Sequence, residues 1–153
     1  MHFSIPRQEP LAIERLILDL NGTLAIDGVL VPGVQERILE LRKQLEGIYL
    51  FTGDTQGNAA AIAKDLGIEV RVTKGAEAKA EEAKKLHPET VATIGNGRID
   101  LELFKTVRLR ILTLQAEGVH PLTMLESDVI VPSVLDALDL LLKPKRLIAT
   151  LRK

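Results

Sequence analysis

The chain of 153 residues is long enough for one domain, which at this length buries roughly two-thirds of the surface that its unfolded chain exposes. Lys and Arg (20) nearly balance Asp and Glu (21), and three Phe with one Tyr offer few rings for stacking, so nucleic acid is not an expected partner. The absence of Cys excludes disulfides and thiolate metal sites. Together with an N-terminus that lacks the long apolar region of a signal peptide, it predicts a cytoplasmic protein with no membrane partner.

The first half of the chain alternates apolar runs with amphipathic stretches. Val34, Ile38, Leu41 and Leu45, for example, recur at helical spacing. In chain order the pattern predicts a strand over 14–20, a helix over 33–45 that Gly47 ends, a strand within 48–54, a helix over 56–66 and a strand over 68–72.

The second half continues this alternation. It predicts a helix over 76–86, a strand over 90–94, a helix over 99–106, strands over 108–114 and 128–131, a helix led by Pro132 through 142, and a last helix from Pro144 to 152. We therefore expect one α/β domain over residues 1–153, a three-layer Rossmann-like fold in which a mainly parallel sheet carries helices on both faces.

The first predicted strand ends in Asp19-Leu20-Asn21-Gly22, a carboxylate followed by a glycine turn. A carboxylate is a competent nucleophile toward phosphorus when cations and fixed donors neutralise the phosphate, and ligands of open α/β sheets bind at the carboxyl ends of the strands. Taken alone, the motif is more often ordinary turn chemistry, because Asp, Asn and Gly all favour turns.

Three further features follow in order: Thr52-Gly53 after a strand, Lys79 at the start of a helical stretch, and a third strand that leads into Gly95-Asn96-Gly97-Arg98-Ile99-Asp100. Each has a plain structural explanation, namely a cap for Thr52, a solvated helix charge for Lys79 and a first-turn acid for Asp100. The combination of nucleophile, hydroxyl, lysine and acid in this order is the stronger signal.

This order resembles the haloacid dehalogenase superfamily, whose motifs are Asp-x-Asp-x-Thr, a Ser or Thr, a Lys, and Gly-Asp-x-x-x-Asp. The resemblance extends over about residues 14–153 and looks closest to the phosphorylation domain of P-type ATPases, with Thr52-Gly53-Asp54 and Gly95–Asp100 as the matching segments. It implies a capless, Mg²⁺-dependent phosphatase that forms an aspartyl phosphate.

The resemblance also implies roles for single residues. Asp19 would attack phosphorus. Thr52, Gly53, Lys79 and the amides of Asn21 and Gly22 would hold the substrate phosphate. The implied Mg²⁺ ligands are Asp19, the Asn21 carbonyl and Asn96, with Asp100 supporting them through water or a bond to Lys79. Asp54 is a secondary candidate and an equally good helix cap.

Two departures from the family pattern weaken this expectation. Asn21 stands where phosphatases carry a general acid and base, and an amide cannot exchange a proton at neutral pH. Asn96 stands where a magnesium ligand is usually Asp, which removes one charge. Turnover should therefore be slow, and the alternative is a regulatory module that binds phosphate and Mg²⁺ without turnover.

The spacing of the motifs leaves no room for an inserted cap domain between Asp19 and Thr52 or between Thr52 and Lys79. Since capless members often cover the site through oligomerisation, we expect a homo-oligomer acting on a small phosphorylated substrate, with the loop over 25–32 as a local flap. ATP hydrolysis is less expected because no nucleotide-binding domain interrupts the chain.

Overall fold

The computed structural model describes residues 1–54 and 57–153 and is built around a six-stranded sheet in which every strand is parallel to its neighbours. Its strands are β3 (Arg15–Leu18), β6 (Gly47–Thr52), β7 (Glu69–Val72), β8 (Val91–Gly95), β9 (Leu109–Thr113) and β10 (Val129–Val131). Their spatial order is β10-β9-β8-β3-β6-β7. The predicted α/β class and parallel sheet are confirmed.

Helices cover both faces of the sheet. They are α1 (Val34–Arg42), α2 (Ala59–Leu66), α3 (Ala76–Lys84), α4 (Leu101–Thr106), α5 (Pro121–Leu125), α6 (Val134–Leu142) and α7 (Pro144–Leu151). Leu16, Leu18 and Leu50 of the central strands pack in one hydrophobic cluster with α1, α2, α6 and α7. Ile17 and Phe51, which alternate with them along the same strands, pack in a second cluster with α3 and α4. This produces the three layers.

Two short antiparallel hairpins complete the fold. One pairs β1 (His2–Phe3) with β2 (Leu11–Ala12) and buries Phe3 and Leu11 in the core. The other pairs β4 (Ala25–Ile26) with β5 (Val29–Leu30) through a tight turn at Asp27-Gly28, where both residues have positive φ. We call this second hairpin the flap, since it occupies the segment for which a flap was predicted.

Element boundaries differ from the sequence prediction mainly at helix ends. Helix α1 ends at Arg42, and Gly47 begins β6 rather than ending the helix; α3 ends at Lys84, and Lys79 lies in its second turn. The predicted helix start at Gln56 lies outside the described residues, and α2 begins at Ala59. Helix α4 is preceded by a 3₁₀ turn over Arg98–Asp100, and α5 was not predicted.

Strand register places the site. Leu18 of β3 lies beside Leu50 of β6 and Ile94 of β8, so the three strands end at the same edge. Asp19 and Asn96 come directly after β3 and β8, and Thr52 is the last residue of β6, so all three lie at this edge.

Among the described residues no helix is both long and apolar enough to cross a bilayer.

Candidate active site

The centre of the site is a buried lysine between two carboxylates. Lys79 reaches from α3 to the sheet edge, where its Nζ lies 2.6 Å from Oδ1 of Asp19 and 2.8 Å from Oδ1 of Asp100. The side chains of Lys79 and Asp100 are each 1% exposed and that of Asp19 is 9% exposed. Two carboxylates and one ammonium leave a net negative charge in a nearly dry environment, so the three groups are strongly coupled.

This environment changes the protonation of both partners. Burial is the largest influence on Asp19, and with the neighbouring Asp100 it raises the pKa of Asp19 from 3.8 to about 7, although Lys79 acts in the opposite direction. Burial works against the charge of Lys79, but Asp100 and Asp19 outweigh it and raise the pKa of Lys79 above its ordinary value. Lys79 therefore stays charged, and Asp19 is poised between its two forms near neutral pH.

Asp100 is held on its other side by the backbone. Its Oδ2 accepts hydrogen bonds from the amides of Asn96 and Gly97, both at 3.1 Å. A Cβ at Gly95 would lie 2.6 Å from the same oxygen, which explains the glycine at that position. Asp100 contacts Lys79 directly, one of the two arrangements predicted for it, and it fixes the loop after β8 as a first-turn acid does.

The turn after Asp19 is closed by its own backbone. The Gly22 amide donates to the Ala25 carbonyl at 2.8 Å, so one of the two amides predicted to hold phosphate is already bonded in this structure. Gly22 has φ +76°, and a Cβ there would lie 2.4 Å from Nδ2 of Asn96. Because the Gly22 N–H and the Asn21 carbonyl share one peptide plane, the bond to Ala25 also fixes the direction of that carbonyl.

Thr52 is buried at the end of β6, where its hydroxyl oxygen accepts the Asp54 amide at 3.1 Å. A hydroxyl that accepts in this way keeps its own proton to donate. Gly53 lies between them and is half-buried. Asp54 has the helix-cap contact that was one of its two predicted roles, since its Oδ1 accepts the amide of Ala59, the first residue of α2, at 3.0 Å.

Asn96 has its side-chain amide oriented by two bonds. Nδ2 donates to the Gly118 carbonyl at 2.9 Å, while Oδ1 lies 3.3 Å from the Thr23 hydroxyl, which donates to it. Among residues 1–54 and 57–153 there is no cluster of three or more His, Cys, Asp or Glu side chains able to hold a metal ion. The oxygen donors predicted for a metal are the Asp19 carboxylate, the Asn21 carbonyl and Oδ1 of Asn96, a hard set with one carboxylate. Mg²⁺ binds proteins through few carboxylates and keeps several waters, so this set fits Mg²⁺ that shares a phosphate ligand.

No protein-family model matches the chain. The uncharacterized protein MJ0073 of Methanocaldococcus jannaschii is 45% identical over 73 residues, which cover 47% of this chain and 78% of MJ0073. The chain belongs to the family of MJ0073. The copper-transporting ATPase HMA5 of Oryza sativa subsp. japonica is 35% identical over 82 residues, 52% of this chain but 8% of that protein. The link to P-type ATPases is therefore weak.

Solved structures assign the fold. A protein assigned to the HAD hydrolase family from Streptomyces avermitilis covers 97% of this chain and 88% of its own, with TM-score 0.68 and 22% identity. The match to the 3-deoxy-D-manno-octulosonate 8-phosphate phosphatase of Moraxella catarrhalis covers 92% of this chain and 94% of that one, with TM-score 0.69 and 21% identity. The match to the cobalt-bound deoxy-D-mannose-octulosonate 8-phosphate phosphatase of Haemophilus influenzae covers 88% of this chain and 90% of that one, with TM-score 0.72 and 17% identity. The chain has a capless haloacid dehalogenase-like fold.

The candidate site also contains residues that the sequence did not point to. The loop after β9 bonds to the turn after Asp19 through Gln115 and to the flap through Glu117, and the buried Thr123 of α5 donates to the Gly97 carbonyl at 3.0 Å. The only available signal was position, because this loop follows a strand of the same parallel sheet and so must end at the same edge.

Proposed function

We propose that this protein is a Mg²⁺-dependent phosphohydrolase that works through an aspartyl phosphate on Asp19. The observation that carries the proposal is the placement of the Lys79 ammonium within hydrogen-bond distance of Asp19 and Asp100, buried at the carboxyl edge of the central strands. A fixed cation beside a strand-end carboxylate is the arrangement that a phosphoryl-transfer nucleophile needs, because it screens the charge of an approaching phosphate.

In the first half-reaction the Asp19 carboxylate attacks phosphorus, the bond from phosphorus to the ester oxygen breaks, and the phosphoryl group is transferred to Asp19. The alcohol leaves with that oxygen, which takes its proton from water because the Asn21 amide is not an acid at neutral pH. Lys79 and the Thr52 hydroxyl hold the phosphate oxygens, while Gly53 allows close approach of the backbone. Asp100 keeps Lys79 in place. Asp19, the Asn21 carbonyl and Asn96 would hold Mg²⁺, which when bound supplies positive charge for the phosphate.

In the second half-reaction water attacks the phosphorus, the bond from phosphorus to Asp19 breaks, and inorganic phosphate leaves while the Asp19 carboxylate is regenerated. The protons of the attacking water pass to the phosphate and to solvent. Asn21 cannot take a proton from that water, so we expect this step to be slower by about 10² to 10⁴ than with a carboxylate at the same position. The same substitution, with the single negative charge among the metal donors, favours the second candidate, a module that traps phosphate on Asp19 and regulates a partner without significant turnover.

The neighbours support a phosphate ester as the substrate. The Moraxella catarrhalis structure is a complex with a magnesium ion, a phosphate ion and a KDO molecule, and the Haemophilus influenzae structure contains cobalt. By analogy we propose a small phosphorylated substrate and a divalent metal, Mg²⁺ first, in a cytoplasmic protein. The sequence identities of 17–21% carry no further detail of the substrate.

The experiment is hydrolysis of a panel of phosphate esters by the wild type and by Asp19→Asn, each with Mg²⁺ and with EDTA. Activity that requires both Asp19 and Mg²⁺ is the expected result, and Asn21→Asp should then turn over faster. The matched control is Asp65→Asn, which changes an exposed carboxylate on α2 and should leave the rate unchanged.

The two candidate functions give different outcomes in this assay. A wild type without activity that still binds beryllofluoride in an Asp19-dependent manner would favour the regulatory module. Absence of both activity and beryllofluoride binding would contradict a phosphoryl-transfer role for Asp19 altogether.

A further inference from the structure

Gln115, on the loop after β9, bridges the nucleophile turn to the start of α6. Its Nε2 donates to the carbonyls of Gly22 at 3.2 Å and Thr23 at 2.6 Å, and its Oε1 accepts the Val134 amide at 3.1 Å. One half-buried side chain therefore connects segments that lie 92 and 19 residues away in sequence.

The chemistry of these partners requires an amide. Two carbonyl oxygens on one side need two N–H donors, and an amide N–H on the other side needs an acceptor. Glu has the same shape but offers two acceptors, which would face the two carbonyls unfavourably. Met fills the same space without any hydrogen bond, and the carbonyls would then lose their partner.

The position of the bonds makes them relevant to the chemistry proposed for the site. The Thr23 amide and the Ala25 amide both donate to the Leu20 carbonyl, so the turn after Asp19 is a compact loop. Gln115 adds two bonds to this loop from outside it. A displacement of the nucleophile by 1 Å lowers a phosphoryl-transfer rate about 10²-fold, so the outside bonds set the precision of the attack.

We propose that Gln115 is a positioning residue that holds the Asp19 turn against α6 in the geometry needed for attack. The inference rests on the proposed function for its kinetic consequence, but its structural content does not. Removal of the amide should loosen the turn, including Asn21 and Gly22 within it, while leaving the sheet, the Lys79 bridge and Thr52 in place.

The test compares Gln115→Glu and Gln115→Met with the wild type by amide hydrogen exchange and by steady-state kinetics. We expect exchange in the segment 20–25 to accelerate at least tenfold, with little change elsewhere, because the local opening becomes easier. We also expect kcat to fall about 10- to 100-fold and KM to change by much less, since Lys79 and Thr52, which hold the phosphate oxygens, lie outside the loosened turn. The kcat of Gln115→Glu, taken relative to that of the wild type at the same pH, should recover as the pH falls, because a protonated Glu regains one hydrogen-bond donor.

Gln35→Glu, an exposed position on α1, is the control and should change neither readout. Two stable variants with unchanged exchange in 20–25 would overturn the proposal, and so would a rise in KM without a fall in kcat. If the wild type proves inactive, the proposed function fails, while the exchange measurement still decides whether Gln115 holds the turn.

Discussion

At the scale of single residues, the Lys79 bridge has the largest energetic consequence. A buried ion pair adds little net stability when compared with apolar groups of the same size, but the loss of one partner leaves charge without compensation. Here the loss of Lys79 would leave Asp19 and Asp100 facing one another at the sheet edge. The lysine is therefore both the proposed phosphate ligand and the group that makes two buried carboxylates tolerable.

Lys79→Met should lower the free energy of unfolding by about 3–5 kcal/mol and abolish phosphoryl transfer. Urea unfolding at neutral pH measures the first effect and the phosphate-ester assay the second. Lys84→Met removes a charge of the same helix at a position where the side chain is 56% exposed, and it should change stability by less than about 0.5 kcal/mol. Equal effects of the two substitutions would contradict the buried bridge.

The raised pKa of Asp19 predicts a pH dependence of stability in the metal-free protein. The folded-state pKa of about 7 lies above the ordinary value of 3.8, so the folded state binds a proton that the unfolded chain has already lost. This contribution is fully present below pH 3.8 and is lost as the pH rises toward 7, by at most about 1.4 kcal/mol per pH unit.

Asp19→Asn lacks this titration. In EDTA its free energy of unfolding should therefore rise relative to that of the wild type between pH 5 and about 7.5. Urea unfolding of both proteins across that range measures the difference. A difference that stays constant with pH would mean that the pKa of Asp19 is not raised.

At the scale of elements, the sequence predicted the periodic structure well and the irregular structure poorly. Alternating apolar runs identified all six sheet strands, because buried strands and amphipathic helices leave patterns several residues long. The flap strands have two residues each and Pro121–Leu125 has five, too few for a period to appear. The observed helix ends differ from the predicted ones because helix propensity changes gradually along the sequence, whereas the actual ends depend on packing.

The site divides in the same way. Asp19, Thr52, Asn96 and Lys79 could be expected to meet, because parallel strands end at one edge and α3 follows the neighbouring strand. The orientation of the Asn96 amide and the reach of Gln115 could not, since both depend on a loop whose path only the tertiary structure fixes. Local sequence thus identifies which groups are available, and the fold decides which bonds they make.

The contact between α1 and α6 gives an element-scale prediction. Asp139 of α6 is bonded to Arg37 of α1 at 2.9 Å and to Lys143 at 2.9 Å. Burial would raise the pKa of Asp139, but these bonds outweigh it and hold the pKa below 3.8. The stabilisation is therefore present above pH 3.8 and is lost as the pH falls further.

Asp139→Asn should lower the free energy of unfolding by about 1–3 kcal/mol at pH 7, because Arg37 loses a charged partner in a half-buried position. Thermal unfolding at pH 7 and pH 3.5 measures this, and the difference from the wild type should shrink at the lower pH. Asp65→Asn serves as the control for an exposed aspartate. A difference that persists unchanged at pH 3.5 would attribute the effect to packing rather than charge.

At the scale of the whole molecule, the open question is what covers the site. The flap is tied at its tip from two sides: Glu117 accepts the Asp27 amide at 2.8 Å, and Asn58 donates to the Gly28 carbonyl at 3.2 Å. A hairpin whose strands have two residues each cannot enclose a substrate alone. Val29 of the flap is an apolar side chain that is 69% exposed. A second copy of the chain packed on the flap would bury it and exclude water.

We therefore predict a homo-oligomer in which a neighbour packs on the flap. Light scattering at increasing concentration should give a multiple of 16.8 kDa, and Val29→Glu should lower the mass and the activity together, because a charge at the contact is costly to bury. Leu39→Glu introduces the same charge at a 44% exposed position on α1 and should preserve both. A mass of 16.8 kDa at every concentration would leave the site open to solvent and favour a large substrate, such as a phosphorylated protein, that covers the site itself.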